Sequence, residues 1–178
     1  PVFFPMDREA MRRYYEAILA EVAGFPVYAY NIPSRTGNDL DAALLGELMD
    51  RYDNLLGVKY SSADLQRFEQ YLHACGRRRP SILVGCDALA AYCRAIGGDG
   101  WVSGPCAVFA RRHTRLFEAV EARDYAGAEA LQFRIADTAR HMGDIPEIPA
   151  IKYMLARLGV IECDACRAPL RPLSPSEK

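Results

Sequence analysis

The sequence predicts an α/β fold with parallel strands, arranged as the second half of a (β/α)8 (TIM) barrel followed by a C-terminal helical extension. Three observations carry this expectation. Short apolar runs alternate with amphipathic helical patterns. Neither a G-x-G-x-x-G nor a P-loop spacing is present, so an open nucleotide-binding sheet lacks its usual signature. Each apolar run also ends in polar or glycine-rich residues, and parallel α/β folds collect their function at the carboxyl ends of strands.

The expected strands are Pro26 to Ile32, Leu55 to Tyr60, Ser81 to Gly85 and Gly100 to Ser103, with Val2 to Phe4 as the tail of another. Asp7 caps a helix whose apolar face runs through Met11, Tyr14 or Tyr15, Ile18 and Val22. Leu40, Leu44 and Leu48 repeat at a helical spacing and lead into the Arg51-Tyr52-Asp53-Asn54 turn. Asp64 precedes the Leu65, Phe68, Leu72 helix, which Gly76 stops as a C′ residue. Asp87 opens a further helix, ended by Gly97-Gly98. From about Ala110 to Gly159 three helical patterns follow with no strand between them, and a Pro-rich tail closes the chain. The expected division is 1–109 for the barrel portion, from the end of strand 4 to strand 8, and 110–178 for the C-terminal helices and tail.

A full barrel takes about 250 residues. These 178 residues hold four and a fraction of the eight units. Half a barrel leaves open strand edges, so strands are expected to be missing.

Bulk composition narrows the function classes. The net charge of −1 gives no electrostatic case for nucleic acid or an anionic membrane surface. Charges interrupt every apolar stretch too soon for a transmembrane span, and the opening Pro1-Val2-Phe3-Phe4 has no signal-peptide character. Of the six cysteines, Cys163 and Cys166 form a lone C-x-x-C without a second ligand pair. They read as reduced loop thiols, which suits a cytoplasmic protein and no metal. His73 and His113 lie on helices with no partner at ligand spacing, His141 lies near a helix end where a cation suits the dipole, and Arg77-Arg78-Arg79 reads as a solvated turn.

Lys59 is the most informative residue, because it sits in an apolar strand after Leu55-Leu56-Gly57-Val58, where lysine is seldom placed. Desolvation there would favour the neutral amine, which can attack a ketone and form an iminium. A strand-end lysine that snorkels to solvent reads equally well on position alone. Tyr30 ends the preceding strand, where its phenol can carry protons beside an amine, or simply fill a barrel interior. Arg35 follows in a Pro/Gly-rich loop, either gripping a carboxylate or solvated.

Together, YNIPSRTG (Tyr30 to Gly37), GVKYSS (Gly57 to Ser62), GCD (Gly85 to Asp87) and GDGWVSG (Gly98 to Gly104) resemble the dihydrodipicolinate synthase / N-acetylneuraminate lyase family. IPAIKYMLARLG (Ile148 to Gly159) resembles its carboxy-terminal helical region, and the resemblance runs from residue 1 to about 173. It implies a cytoplasmic lysine Schiff-base enzyme of lysine biosynthesis that joins pyruvate to an aldehyde such as aspartate semialdehyde. Lys59 would be the nucleophile and Tyr30 the proton relay. Arg35 and Thr36 would bind substrate, and Gly85 and Val102 would offer backbone groups near the ligand. No cofactor is implied beyond the covalent imine on Lys59. The intact protein would be a homodimer or homotetramer. Arg35 favours a synthase and Tyr60 a lyase, so a sialic acid lyase or a sugar-acid aldolase or dehydratase is the alternative. A non-catalytic half-barrel is the alternative of another class.

The resemblance also marks departures. Val2-Phe3-Phe4-Pro5 resembles the end of the family's fourth strand, so the first three strands are expected to be absent, and with them the Gly/Thr loop that holds the pyruvate carboxylate. The tyrosine that family members borrow from a neighbouring subunit is absent as well. The chain alone is therefore expected not to be a competent enzyme. Ala107 stands where many relatives carry Asn.

Overall fold

The computed structural model describes residues 4–74 and 77–178. The expected stop at Gly76, and Val2 and Phe3 of the expected leading strand, lie outside the described residues. The chain divides into two compact units between Val102 and Ser103.

In the first unit the order is α1 (Arg8–Glu21), β1 (Val27–Asn31), α2 (Pro33–Thr36), α3 (Ala42–Arg51), β2 (Leu55–Tyr60), α4 (Leu65–Leu72), β3 (Ser81–Val84), a 3-10 turn (Asp87–Leu89), α5 (Ala90–Ala95) and β4 (Gly100–Trp101). The four strands form one parallel sheet in sequential order. Such neighbours need a crossover between them, and the intervening helices supply it.

Three aspartates set the helix starts. Asp7, Asp41 and Asp64 each accept a backbone N–H from the first turn, at 2.8, 2.7 and 3.1 Å. Such a cap satisfies an amide that the helix itself leaves orphaned.

The sheet has one covered and one open face. Ala29, Asn31, Val58, Tyr60, Ile82 and Val84 are buried, and the apolar ones pack with Leu19, Leu44, Leu45, Leu48 and Phe68 into the core. Each large aliphatic side chain buried this way contributes about 1.5–3 kcal/mol. The alternate residues Tyr28 and Tyr30 stay exposed, and Lys59 and Leu83 are half-buried. Because side chains alternate along a strand, the period of two puts Tyr30, Lys59 and Leu83 on one side and the core on the other.

Packing on α1 differs from the expected face. Met11 and Leu19 are buried and Tyr15 packs partly against the core, whereas Tyr14, Ile18 and Val22 remain exposed. The buried stripe runs at i, i+4, i+8, one step round the helix from the expected one.

The Arg77-Arg78-Arg79 run is also not merely solvated. Arg78 donates to the carbonyls of Met49, Tyr52, Asp53 and Leu55, and Arg79 holds Asp99 through two bonds of 2.9 and 3.0 Å. Arg77 donates to the Asp50 carboxylate and carbonyl. The last carbonyls of a helix lack partners within it, and the Arg77 and Arg78 guanidiniums supply donors to the end of α3, the turn after it and the start of β2.

The second unit holds α6 (Gly104–Glu121), α7 (Tyr125–Met142) and α8 (Glu147–Arg157). Ser103 caps α6 by accepting the Cys106 amide at 3.2 Å, so helix begins six residues before Ala110. The backbone of α6 kinks at Phe109, with φ −108° and ψ 31°. The buried His113 ring places Nδ1 2.9 Å from the Phe109 carbonyl. A carbonyl only accepts, so that nitrogen carries the hydrogen. Cys163 and Cys166 are free thiols in the loop after α8. Among the described residues no helix is long and apolar enough to cross a membrane.

Candidate active site

Lys59 and Tyr30 are paired across the β1–β2 ladder. The pairing brings the Lys59 Nζ to 4.0 Å from the centroid of the Tyr30 ring, on the open face of the sheet. A cation over a phenol ring is attracted by the ring's negative face. The phenol itself is held below its ordinary value. Burial pushes it up, but the Ser61 hydroxyl, the Lys59 ammonium and the charge of Arg35 together outweigh that.

Ser61 was not among the residues singled out by sequence. Two residues beyond Lys59, it shares that residue's side of the chain, and its Oγ donates to the Tyr30 hydroxyl at 3.5 Å. Its backbone N–H donates to the Asn31 carbonyl at 3.0 Å, extending the ladder past the end of β2. The parity with Lys59 was the available signal, but a serine at a strand end has too many ordinary uses for parity to single it out.

Gly85 lies beside this pair. A Cβ built there would fall 1.9 Å from the Ser61 Oγ and 3.3 Å from the Lys59 Cε. Glycine at this position thus leaves the room in which the Ser61 hydroxyl sits. Its amide donates to the Tyr60 carbonyl at 2.8 Å, and the Val102 amide donates to the Val84 carbonyl at 2.9 Å. Both N–H groups are engaged in the sheet.

Arg35 and Thr36 sit on the short helix α2 rather than in an irregular loop, because Pro33 starts a turn that the left-handed Gly37, at φ 65°, closes. Arg35 is exposed and has no carboxylate partner among the described residues. The Thr36 hydroxyl faces inward: it lies 3.2 Å from the Ile32 carbonyl and 3.0 Å from the Asn38 carbonyl, and it accepts the Asn38 amide. A cavity of about 550 Å³ beside β1 takes Tyr30, Arg35 and Thr36 into its lining, along with Tyr14, Ile18 and Tyr28.

Behind the site, on the covered face, a polar network anchors the end of β1. Asn31 donates to Asp39 at 2.7 Å and to the Tyr71 hydroxyl at 2.8 Å, while Leu40 donates to the Asn31 side-chain oxygen at 3.3 Å. Tyr71 donates to the Leu40 carbonyl, and Arg67 pairs with Asp39 at 2.8 Å. Tyr60 packs edge-on against Tyr71 and is almost fully buried, so it faces away from Lys59. Among the described residues no cluster of three His, Cys, Asp or Glu side chains forms a metal site.

This arrangement supplies an amine, a phenol beside it and an exposed guanidinium nearby. The chain as a whole matches the model of the dihydrodipicolinate synthetase family over residues 1–178. It is 30% identical over 178 residues to a 4-hydroxy-tetrahydrodipicolinate synthase of Bartonella bacilliformis, covering all of this chain and 60% of that protein. Among solved structures it resembles dihydrodipicolinate synthase of Aquifex aeolicus (25% identity, TM-score 0.87) and a sialic acid aldolase of Ruminococcus gnavus (27% identity, TM-score 0.90). Each alignment covers 99% of this chain and 59% of the other. The chain thus spans about three fifths of the length of the relatives it matches.

Proposed function

The chain belongs to the dihydrodipicolinate synthetase family, and from that premise we propose that Lys59 is the Schiff-base nucleophile of a pyruvate-dependent carbon–carbon bond-forming or bond-breaking enzyme. The observation that carries the reading is the Lys59–Tyr30 pair, an amine and a phenol facing each other on an open sheet surface.

The reaction follows from what each group can do. The neutral Lys59 amine adds to C2 of pyruvate and gives a carbinolamine. Tyr30 passes its proton to the carbinolamine hydroxyl, which leaves as water, and the iminium remains. The Tyr30 phenolate takes up a methyl proton to leave an enamine, whose carbon adds to the carbonyl carbon of an aldehyde while the phenol returns the proton to the aldehyde oxygen. Release of the product from Lys59, by hydrolysis or by attack of an amine within the product, restores the free lysine. Cleavage runs the same steps backwards. Arg35 stands beside the pair, exposed and suited to a substrate carboxylate.

A synthase acting on aspartate semialdehyde is the finer reading, and 4-hydroxy-tetrahydrodipicolinate synthases among the relatives support it. The burial of Tyr60 adds to it: a side chain under Phe68 and Tyr71 takes no part in choosing an aldehyde, so it does not count for a lyase. The second reading, a sialic acid or sugar-acid lyase, draws on the likeness to the Ruminococcus gnavus aldolase. Thr36, Gly85 and Val102 belong to the proposed substrate surface as the residues that shape it, and a homo-oligomer is the proposed assembly of the intact protein.

The test is exchange of the pyruvate methyl protons in D2O, followed by proton NMR with the intact protein. Exchange that Lys59→Ala abolishes supports the enamine. No exchange with the unsubstituted protein sinks it. Aspartate semialdehyde and N-acetylmannosamine then separate the two readings.

A further inference from the structure

We propose that Ser61 is a positioning residue for Tyr30, holding the phenol hydroxyl by a hydroxyl–hydroxyl hydrogen bond in the slot that Gly85 leaves open. The inference deepens the Schiff-base reading and rests on it.

Four observations converge. Ser61 lies on the same side of the chain as Lys59, at the end of β2, and β2 pairs directly with the strand that carries Tyr30. Its Oγ donates to the Tyr30 hydroxyl at 3.5 Å. Its amide is tied to the Asn31 carbonyl at 3.0 Å, so the Cβ from which the hydroxyl swings is fixed relative to β1. Finally, the space it occupies exists only because residue 85 is glycine, since any Cβ there would meet the Ser61 Oγ at 1.9 Å.

The division of labour follows from these contacts. Lys59 lies against the face of the ring, while Ser61 reaches its tip. Tyr30 is half exposed, so without a contact at its tip the phenol has freedom to turn away from the amine. When Tyr30 gives its proton to the carbinolamine hydroxyl, negative charge gathers on the phenol oxygen. A hydrogen bond donated to a charged acceptor is stronger than one to a neutral acceptor, so the Ser61 contact tightens as the proton leaves. Ser61 itself exchanges no proton with the substrate.

The test is a double-substitution series in the intact protein: unsubstituted, S61A, S61T, Y30F and Y30F/S61A. Two readouts are the rate of pyruvate adduct formation under borohydride and the pH dependence of kcat. S61A is expected to lower both the trapping rate and kcat about 3- to 10-fold, the worth of one hydrogen bond, with little change in the KM for pyruvate. The pH limb that reports the phenol moves to higher pH. S61T keeps a hydroxyl on the same carbon and restores most of the rate. In the Y30F background S61A costs nothing further, because the group it positions has gone. Rates and pH profile unchanged in S61A, or an undiminished S61A loss in the Y30F background, would overturn the role of Ser61 alone. An unsubstituted protein that takes no pyruvate adduct overturns the Schiff-base reading and this inference with it.

Discussion

The Lys59 Nζ lies 4.0 Å from the centre of the Tyr30 ring, and the two residues are register partners across β1 and β2. Neighbouring parallel strands are about 4.8 Å apart. Side chains from partnered positions therefore meet on one face without any loop having to move.

Replacing Tyr30 with Phe keeps the ring under the ammonium and removes the hydroxyl. The expected outcome is a fall of about 10²-fold in kcat/KM with pyruvate, the usual worth of a positioned proton carrier. The melting temperature should change little, since half of the side chain is exposed. Steady-state kinetics and a thermal melt check both parts.

Gly85→Ala and Gly57→Ala separate the site from the scaffold. At 85 the new Cβ meets side-chain atoms of Ser61 and Lys59, whereas at 57 it would lie 1.8 Å from the backbone oxygen of Ser81. A backbone contact has no rotamer by which to escape. G57A should therefore destabilise by about 3 kcal/mol or more, and G85A by less. G85A should instead slow pyruvate trapping on Lys59. Denaturant midpoints and trapping rates, measured on both variants, decide the matter.

Asn31→Ala removes a buried side chain that bonds Asp39, Tyr71 and the Leu40 amide. Leaving those groups without their partner should cost about 1–3 kcal/mol, read from urea unfolding. Because Asn31 follows Tyr30 directly, the kcat of N31A should fall as well.

Alkali should weaken the first unit. Burial pushes the Cys93 thiol from 9.0 up to about 12 and the Tyr15 phenol from 10.0 up to about 12, and it raises Tyr71 in the same direction. Each folded group holds its proton more tightly than the unfolded chain does. Its contribution is therefore full below the unfolded value and is lost as pH rises through the folded one. The urea midpoint should hold up to about pH 9 and decline between 9 and 12. A midpoint that stays flat to pH 12 would contradict this account of the core.

Much of the fold was legible because local rules and tertiary packing agree. β2 spans Leu55–Tyr60 as its apolar run predicts, and Asp7 and Asp64 cap helices where expected. Lys59 stood out because an ammonium in an apolar strand conflicts with its surroundings. Other features depend on long-range partners that spacing does not reveal. Asn31 meets Tyr71 forty residues on, and Arg78 finds carbonyls at the end of α3, in the turn after it and at the first residue of β2. The stripe on α1 was misplaced because Leu19 and Ile18 are equally apolar, so hydrophobicity alone does not choose between adjacent faces. The side on which Tyr60 lies was legible too: it is next to Lys59, and alternation puts it on the opposite side of the strand.

The most direct test is to reduce the intact protein with borohydride in the presence of pyruvate and map the modified peptide by mass spectrometry. The account predicts a single reduced pyruvyl adduct on Lys59, lost in Lys59→Ala. No adduct, or an adduct on a different lysine such as Lys152, would contradict it.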